Sequence, residues 1–182
     1  REVPNPSETL LSGRPINTPG TCVTCVMEGS RPILAEIQAL VAQSGYGSAR
    51  RNSNGIDYNR AMLLLAVLEK RGGMSVSGCD AYINVVGGLQ LDEPAADLAT
   101  LLAVASSYRD IPIDSELAAV GEVGLSGEVR SVQQLNLRLS EIARLGFKRC
   151  IIPSHVKGDV LQPVGLELIR VKNVREAIRA AL

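Results

Sequence analysis

The sequence lacks tryptophan, contains one histidine and one phenylalanine, and carries no net charge over its 182 residues. It has no apolar run of about 18 residues, which excludes a membrane-spanning helix. Charged residues make up 21% of the chain and hydrophobic residues 46%, a balance that excludes an intrinsically disordered protein. The length predicts one domain with a hydrophobic core. Neutrality argues against a strongly basic nucleic-acid binder, but net charge does not describe local patches.

Motifs that hold nucleotides or metals are also missing. Neither Gly-x-x-x-x-Gly-Lys-[Ser/Thr] nor Gly-x-Gly-x-x-Gly occurs, and His155 stands alone in a predicted loop, so we assign it no role. Cys22 and Cys25 have the spacing of a zinc site, but their β-branched surroundings predict a strand, which would point the two thiols to opposite faces. We expect no metal or cofactor in this segment. All four cysteines are expected to be buried and reduced, as in a cytoplasmic protein.

The chain divides into an arm and a domain. It starts without an initiator methionine or a hydrophobic signal segment, so we interpret it as a piece of a longer protein. Residues 1–20 hold four of the nine prolines and no apolar period. We expect them to form a linker from a preceding domain, with one short turn near Ser7. Residues 21–182 are expected to form the domain itself.

The apolar pattern of that domain predicts an α/β fold of the α+β type, with a mixed sheet and packed helices. The first two strands read as a hairpin. Asp57, Asp92 and Asn173 are predicted to cap helices, with Glu93 favourable at the positive helix end. Residues 43–54 are rich in Gly, Ser and Asn and predict an exposed loop. Strands are predicted over residues 21–27, 32–41, 81–86, 117–123, 128–132, 148–152 and 166–171, and helices over residues 58–71, 93–108, 133–145 and 174–180.

The second half of the chain resembles the peptidase domain of the Lon family. The resemblance rests on Gly-Glu-Val-Gly-Leu-Ser-Gly-Glu-Val-Arg at residues 121–130, on Ala-Arg-Leu-Gly-Phe-Lys-Arg at residues 143–149 and on Cys-Ile-Ile-Pro at residues 150–153. Residues 87–99 fall where that family carries its nucleophile loop. The resemblance implies a Lon-peptidase-like fold (the ribosomal protein S5 domain 2-like fold). It also implies a catalytic dyad of a serine that follows a proline and a lysine that acts as its base.

Both halves of the implied dyad are missing from this sequence. Ala95 stands at the serine position and Asn136 at the lysine position, so neither a nucleophile nor a base is present. Ser106 and Ser107 lie about three helical turns further on, roughly 16–18 Å away at about 1.5 Å per residue. We expect no other lysine near the dyad position and interpret Asp97 as structural. The fragment is therefore predicted not to be an enzyme.

A second resemblance covers nearly the whole chain. It rests on residues 1–8, 27–41, 54–60, 68–71, 91–99 and 105–108. These segments resemble the RadA (Sms) family of bacterial DNA repair proteins. The resemblance implies a C-terminal Lon-like domain that cleaves no peptides and follows a zinc finger and a RecA-like ATPase, so that ATP, magnesium and zinc belong to the absent part. It further implies a hexameric ring, DNA as partner, an ATP-dependent branch-migration motor on recombination intermediates, and a bacterial cytoplasmic location away from membranes.

A local arginine excess supports DNA contact from the residues themselves. Residues 45–60 contain three arginines and one aspartate, a local charge of +2. Such clusters bind phosphates without reading bases. An ordinary solvated loop or an inter-subunit salt-bridge surface is the alternative. The candidate DNA contacts are Arg50, Arg51 and Arg60, with Arg130 and Arg138 as a second, weaker patch.

Two other functions stay open. One is a cryptic serine peptidase of the Lon group, which a serine-reactive probe would reveal. The other is a pure oligomerisation scaffold, which would form rings and bind no DNA.

Overall fold

The computed structural model describes residues 6–45 and 47–182, so the first five residues of the predicted arm lie outside the described part. None of the described helices is long and apolar enough to cross a membrane. Two short 3₁₀ turns, Val86–Gly88 and Pro94–Ala96, join the main elements. The strands are β1 (Thr21–Glu28), β2 (Arg31–Gln43), β3 (Arg51–Asn54), β4 (Cys79–Val85), β5 (Leu117–Ala119), β6 (Glu122–Val123), β7 (Val129–Arg130), β8 (Arg149–Pro153) and β9 (Glu167–Val171). The helices are α1 (Pro6–Leu11), α2 (Tyr58–Lys70), α3 (Asp97–Arg109), α4 (Leu135–Arg144) and α5 (Val174–Ala181).

Seven of these strands form one mixed sheet in the order β3-β4-β2-β1-β5-β8-β9. β1 and β2 form the predicted antiparallel hairpin, with Glu28 opposite Arg31, and β2 also pairs antiparallel with β4. The remaining neighbours in the sheet run parallel. β6 and β7 form a separate antiparallel pair. The predicted α/β fold with a mixed sheet and packed helices is confirmed.

Helices cover both faces of the sheet. α2, α3 and α5 pack on one face around a core that includes Cys22 and Leu102, and α4 packs on the other around Cys25 and Leu139. The two cysteines therefore point to opposite faces of β1, as predicted, and all four cysteines are buried and free. The first eleven residues of α3 are buried, which makes α3 the central helix of the domain.

The predicted arm is docked onto the domain through α1. Ser7 is buried, and its hydroxyl accepts a hydrogen bond from the Leu34 N–H at 3.0 Å. The same hydroxyl donates to the Glu141 carboxylate at 3.0 Å. One serine thus joins α1 to β2 and to α4.

Two of the three predicted helix caps are confirmed. The Asp57 carboxylate accepts a hydrogen bond from the N–H three residues on at 3.0 Å, and the Asn173 side-chain oxygen does the same at 3.0 Å. The cap at Asp92 is wrong: its carboxylate accepts from the Gln90 amide at 3.3 Å, and no side chain caps α3. The reason is the tight turn Pro94–Ala96, which satisfies the entry to α3 with backbone geometry and delays its start.

The prediction of an exposed loop over residues 43–54 is wrong in its last third. Arg51–Asn54 forms β3, which runs parallel to β4 with Arg51 opposite Ala81. The residues of β3 have low strand propensity, so the sequence alone favours a loop. β4 supplies the missing stabilisation, because without β3 it would be the edge strand and its outer backbone groups would have no partner in the sheet.

The predicted strand over residues 117–123 is split in two. β5 ends at Ala119, and the chain then leaves the sheet to form β6 against β7. Gly121 lies at this crossing, where an added Cβ would lie 2.8 Å from the Cγ1 atom of Val129. Only a residue without a side chain allows the two segments to approach this closely.

Candidate functional site

Ala95 and Asn136 line the same groove, which has a volume of about 820 Å³. One wall is the turn that precedes α3, and the other is the start of α4 with the segment before it. The loop that follows β8 closes the groove at its far side. The structure therefore brings together the two positions that the Lon resemblance assigns to a catalytic dyad.

Ala95 is held in place by backbone contacts that need no nucleophile. The residue is buried, and its carbonyl accepts a hydrogen bond from the Gly121 N–H at 3.1 Å. The Gly121 carbonyl in turn accepts from the Leu98 N–H at 3.1 Å. These bonds fix the turn before α3 against the segment that leads into β6. The loop is rigidly positioned, but it presents only a methyl group to the groove.

Asn136 uses its whole side chain to hold the loop beyond β8. Its amide nitrogen donates to the Asp159 carbonyl at 3.0 Å, and its amide oxygen accepts from the Leu161 N–H at 2.8 Å. A lysine donates hydrogen bonds but accepts none, so it could not make the second bond. At the position that the Lon resemblance assigns to the base, this chain therefore carries a residue that holds a loop in place.

The buried Arg138 and the partly exposed Glu93 form an ion pair across the groove wall. Arg138 is 3% exposed, and its guanidinium bonds the Glu93 carboxylate, the Cys25 carbonyl at 3.0 Å and the Gln133 carbonyl at 2.9 Å. Glu93 also accepts from the Met27 N–H at 3.1 Å. The prediction that Arg138 belongs to a surface DNA patch is wrong, because the guanidinium is enclosed and fully occupied. Glu93, expected to complement the positive end of the helix, lies before the turn Pro94–Ala96 and pairs with Arg138.

Asp97 and Arg60 form the second ion pair beside the groove. Asp97 is 3% exposed and accepts from the Arg60 guanidinium and from the Val123 N–H at 3.0 Å. Burial raises the pKa of the Asp97 carboxyl, and the hydrogen bonds from Arg60 and Val123 oppose that rise. The contact with Asp97 raises the pKa of Arg60, so that guanidinium stays charged. Arg60 is thus committed to the fold rather than to a free DNA-binding surface, and Asp97 has a structural environment.

The other predicted DNA contacts have different surroundings. The Arg51 guanidinium donates to the Val76 carbonyl at 3.0 Å and to the Cys79 carbonyl, so it closes a turn of its own chain. Arg130 is 63% exposed and pairs with Glu128 at 3.1 Å. The Arg50 side chain is exposed, and its guanidinium makes no ion pair within the described part of the chain. The predicted cluster is therefore dispersed, and only Arg50 and Arg130 present exposed guanidinium groups.

The expectation that no lysine lies near the dyad position is wrong. Lys157 and Ser131 line the groove together with Ala95 and Asn136. Lys157 is an exposed side chain of the loop that follows β8. No sequence signal reveals this proximity, because the loop carrying Lys157 is folded back by the hydrogen bonds of Asn136.

Ser106 and Ser107 are structural. The Ser106 hydroxyl accepts from the Gly20 N–H at 2.9 Å, and the Ser107 hydroxyl accepts from the Val41 N–H at 2.9 Å. Both serines are buried on α3 and fasten it to the strands beneath. Within the described part of the chain, no group of three or more His, Cys, Asp or Glu side chains could hold a metal ion.

Residues 76–182 match the family model of the Lon protease (S16) C-terminal proteolytic domain, which covers more than half of the chain. The chain belongs to this Lon-type family. It is also similar over its full length to proteins named DNA repair protein RadA: 50% identical to that of Bacillus subtilis, 47% to that of Listeria monocytogenes and 46% to that of a Synechocystis species. The predicted resemblance to RadA is confirmed. This Lon-type chain spans 36 to 40% of the length of these relatives.

Proposed function

We propose that this Lon-type domain is the non-proteolytic C-terminal part of a RadA-type DNA repair and recombination protein. It supports ring assembly and DNA binding in the bacterial cytoplasm, for an ATP-dependent branch-migration motor whose ATPase lies outside this chain. The observation that carries the proposal is the groove in which Ala95 and Asn136 meet, because the site of a peptidase is kept there without its reacting groups.

The absence of peptidase chemistry follows from what each side chain can do. Serine–lysine hydrolysis needs a hydroxyl that attacks the carbonyl and a neutral amine that takes its proton. Ala95 supplies no hydroxyl, and both polar atoms of Asn136 are engaged with the loop at Asp159 and Leu161. The exposed Lys157 lines the groove, but residue 95 offers no hydroxyl that it could activate.

DNA contact is supported by the names of the similar proteins and by exposed cations in an otherwise neutral chain. Phosphate contacts supply sequence-independent affinity and need only local positive charge. Arg50 and Arg130 are exposed, but Arg50 precedes β3 of the seven-stranded sheet and Arg130 lies on β7 of the separate pair. DNA contact in this domain therefore calls for further cations brought together by the fold.

A peptidase assay tests the first half of the proposal. We expect no turnover of a fluorogenic peptide and no labelling by a serine-reactive probe. The control variants are Ser131→Ala and Lys157→Ala, since these are the serine and the lysine that line the groove. Turnover that either variant abolishes would establish a cryptic serine peptidase instead.

Multi-angle light scattering with and without duplex DNA tests the second half. We expect particles heavier than one chain and a further rise in mass with DNA, which weakens as the salt concentration rises because phosphate contacts release counterions. Assembly without any DNA binding would support the pure scaffold. A monomer that binds no DNA would contradict both readings.

A further inference from the structure

Three arginines from distant parts of the sequence meet at the end of the domain opposite the groove. Arg109 is the last residue of α3, and Arg175 and Arg179 lie on α5. Together with Gly72, Ile178 and Leu182 they line a pocket of about 230 Å³. We call this the arginine pocket.

The guanidinium groups of the arginine pocket are not neutralised by acids. Arg109, Arg175 and Arg179 are exposed, and none of them makes an ion pair within the described part of the chain. The carboxylate nearest to them in sequence on α5, that of Glu176, is bonded to the Lys172 N–H at 2.8 Å. Other described arginines also lack an ion pair, but these three line one pocket together.

The pocket is built on packed helices rather than on a loose surface. An added Cβ at Gly72 would lie 3.3 Å from Ile178 Cδ1, so the glycine lets α5 approach the end of α2. At Gly73, which has a positive φ of 75°, an added Cβ would lie 3.5 Å from an Arg175 nitrogen, so that guanidinium lies over bare backbone. Arg175 and Arg179 are four residues apart and share one helix face. The fold thus holds the cations in a defined place.

Helix dipoles account for only part of this charge. α2, α3 and α5 all end at the arginine pocket, and each helix C-terminus carries about −0.5 of an elementary charge. Three ends sum to roughly −1.5, against three guanidinium groups. The helix ends therefore offset only part of the positive charge of these guanidinium groups.

We propose that the arginine pocket binds a phosphate group, supplied by the backbone of DNA. One guanidinium group can donate two parallel hydrogen bonds to two oxygens of a phosphate. Several guanidinium groups around one pocket therefore favour a phosphate bound by such paired hydrogen bonds. The pocket is smaller than the roughly 300 Å³ at which sites for drug-sized ligands begin, which suits one phosphate rather than a whole nucleotide. The choice of DNA as the source rests on the proposed function, whereas the phosphate site itself does not.

A duplex titration at several salt concentrations tests the DNA source. In the variant Arg175→Ala with Arg179→Ala we expect duplex binding to weaken about tenfold and the salt slope to fall by about 1, the loss of one phosphate contact. Arg144→Ala is the matched control, an exposed arginine on α4 that packs on the other face of the sheet, and it should leave both quantities unchanged. The reverse result would overturn the DNA assignment.

The variant Arg175→Lys separates anion binding from helix support. It keeps the charge that complements the helix ends but removes the fork, so we expect unchanged thermal stability and several-fold weaker duplex binding. Equal duplex affinity for Arg175→Lys and the parent chain would count against bidentate phosphate contact at this residue.

Inorganic phosphate and pyrophosphate distinguish the two sources. We expect either anion to raise the melting temperature of the parent chain and not of the Arg175→Ala, Arg179→Ala variant. Stabilisation by the free anion without any duplex binding would keep the pocket as a phosphate site and remove the DNA role of this domain. No response to phosphate, pyrophosphate or duplex, with an altered particle mass in the variant, would overturn the proposal in favour of a subunit contact.

Discussion

Arg50 and Arg51 are adjacent in the sequence and have opposite environments in the fold. Arg50 precedes β3 and extends into solvent, while Arg51 turns inward and bonds the carbonyls of the turn before β4. At the scale of single residues, charge alone therefore does not predict a binding role. The role of Asn136 at the groove is likewise set by its surroundings. Its amide donates to the Asp159 carbonyl and accepts from the Leu161 N–H, so the side chain holds the loop that follows β8.

This difference predicts unequal stability effects for the two arginines. Arg51→Ala should lower the free energy of unfolding by about 1.5 kcal/mol, because carbonyls of the turn lose a charged donor. Arg50→Ala should change it by less than about 0.5 kcal/mol, as at most exposed positions. Urea denaturation of both variants measures the two values, and equal losses would contradict the assigned roles.

At the scale of elements, the residues around the groove connect α4, β1 and the turn before α3. The Arg138 side chain of α4 reaches the turn before α3 through Glu93 and reaches β1 through the Cys25 carbonyl. Backbone bonds at Gly121 hold the other side of the same turn. The elements that would present a nucleophile and a base to a substrate are here fastened to each other.

Removing Arg138 from its ion pair with Glu93 should lower stability, and a second substitution at Glu93 should restore part of the loss. Arg138→Met should lower the free energy of unfolding by about 3 kcal/mol, because it leaves the Glu93 carboxylate without its partner in a mostly buried place. Adding Glu93→Gln should recover more than half of that loss, since the amide oxygen still accepts from the Met27 N–H. Arg130→Ala is the control at an exposed ion pair and should cost less than about 1 kcal/mol. A double variant no more stable than Arg138→Met would contradict the pairing.

At the scale of the whole molecule, the net charge of zero is the sum of regions that differ in local charge. The groove at the start of α3 is lined by paired and unpaired charges of both signs, and the pocket at the end of α3 is lined by unpaired arginines. Between them lies a two-sided core that holds the thiols of β1 on opposite faces of the sheet. That core also controls how the cysteines ionise.

Burial of these thiols predicts a loss of stability at alkaline pH. Desolvation raises the pKa of Cys22 to about 12 and that of Cys25 to about 12, and it raises the pKa of Cys150 as well. Because the folded-state pKa values are raised, the stabilisation is full below about pH 8.5, the usual thiol pKa, and is lost as the pH rises towards 12.

Urea denaturation from pH 8 to pH 11 checks this sign. We expect the free energy of unfolding to decline with pH, and to decline less steeply in a variant with Cys22→Ala and Cys25→Ala. Iodoacetamide at pH 8.5 should label the native chain slowly and the urea-unfolded chain rapidly. Identical pH slopes in the two chains, or rapid native labelling of both thiols, would contradict the prediction.

Features whose partners lie close in sequence were predictable. The caps at Asp57 and Asn173 need only an N–H three residues away, and the β1–β2 hairpin needs only a short loop, so local patterns contain the information. Alternation along a strand was also enough to separate Cys22 from Cys25. The Asp92 cap failed because a local proline turn competed with it.

Features that depend on distant partners were not predictable. β3 forms because its backbone pairs with β4, which comes about 25 residues later in the chain. Arg138 is buried because α4 places it against Glu93. The sequence by itself determined the fold class and the family, since these depend on residue identity and local order. Only the tertiary structure decided which arginines are free, because the partners that neutralise a charge, or that gather three charges around one pocket, come from segments far apart in the chain.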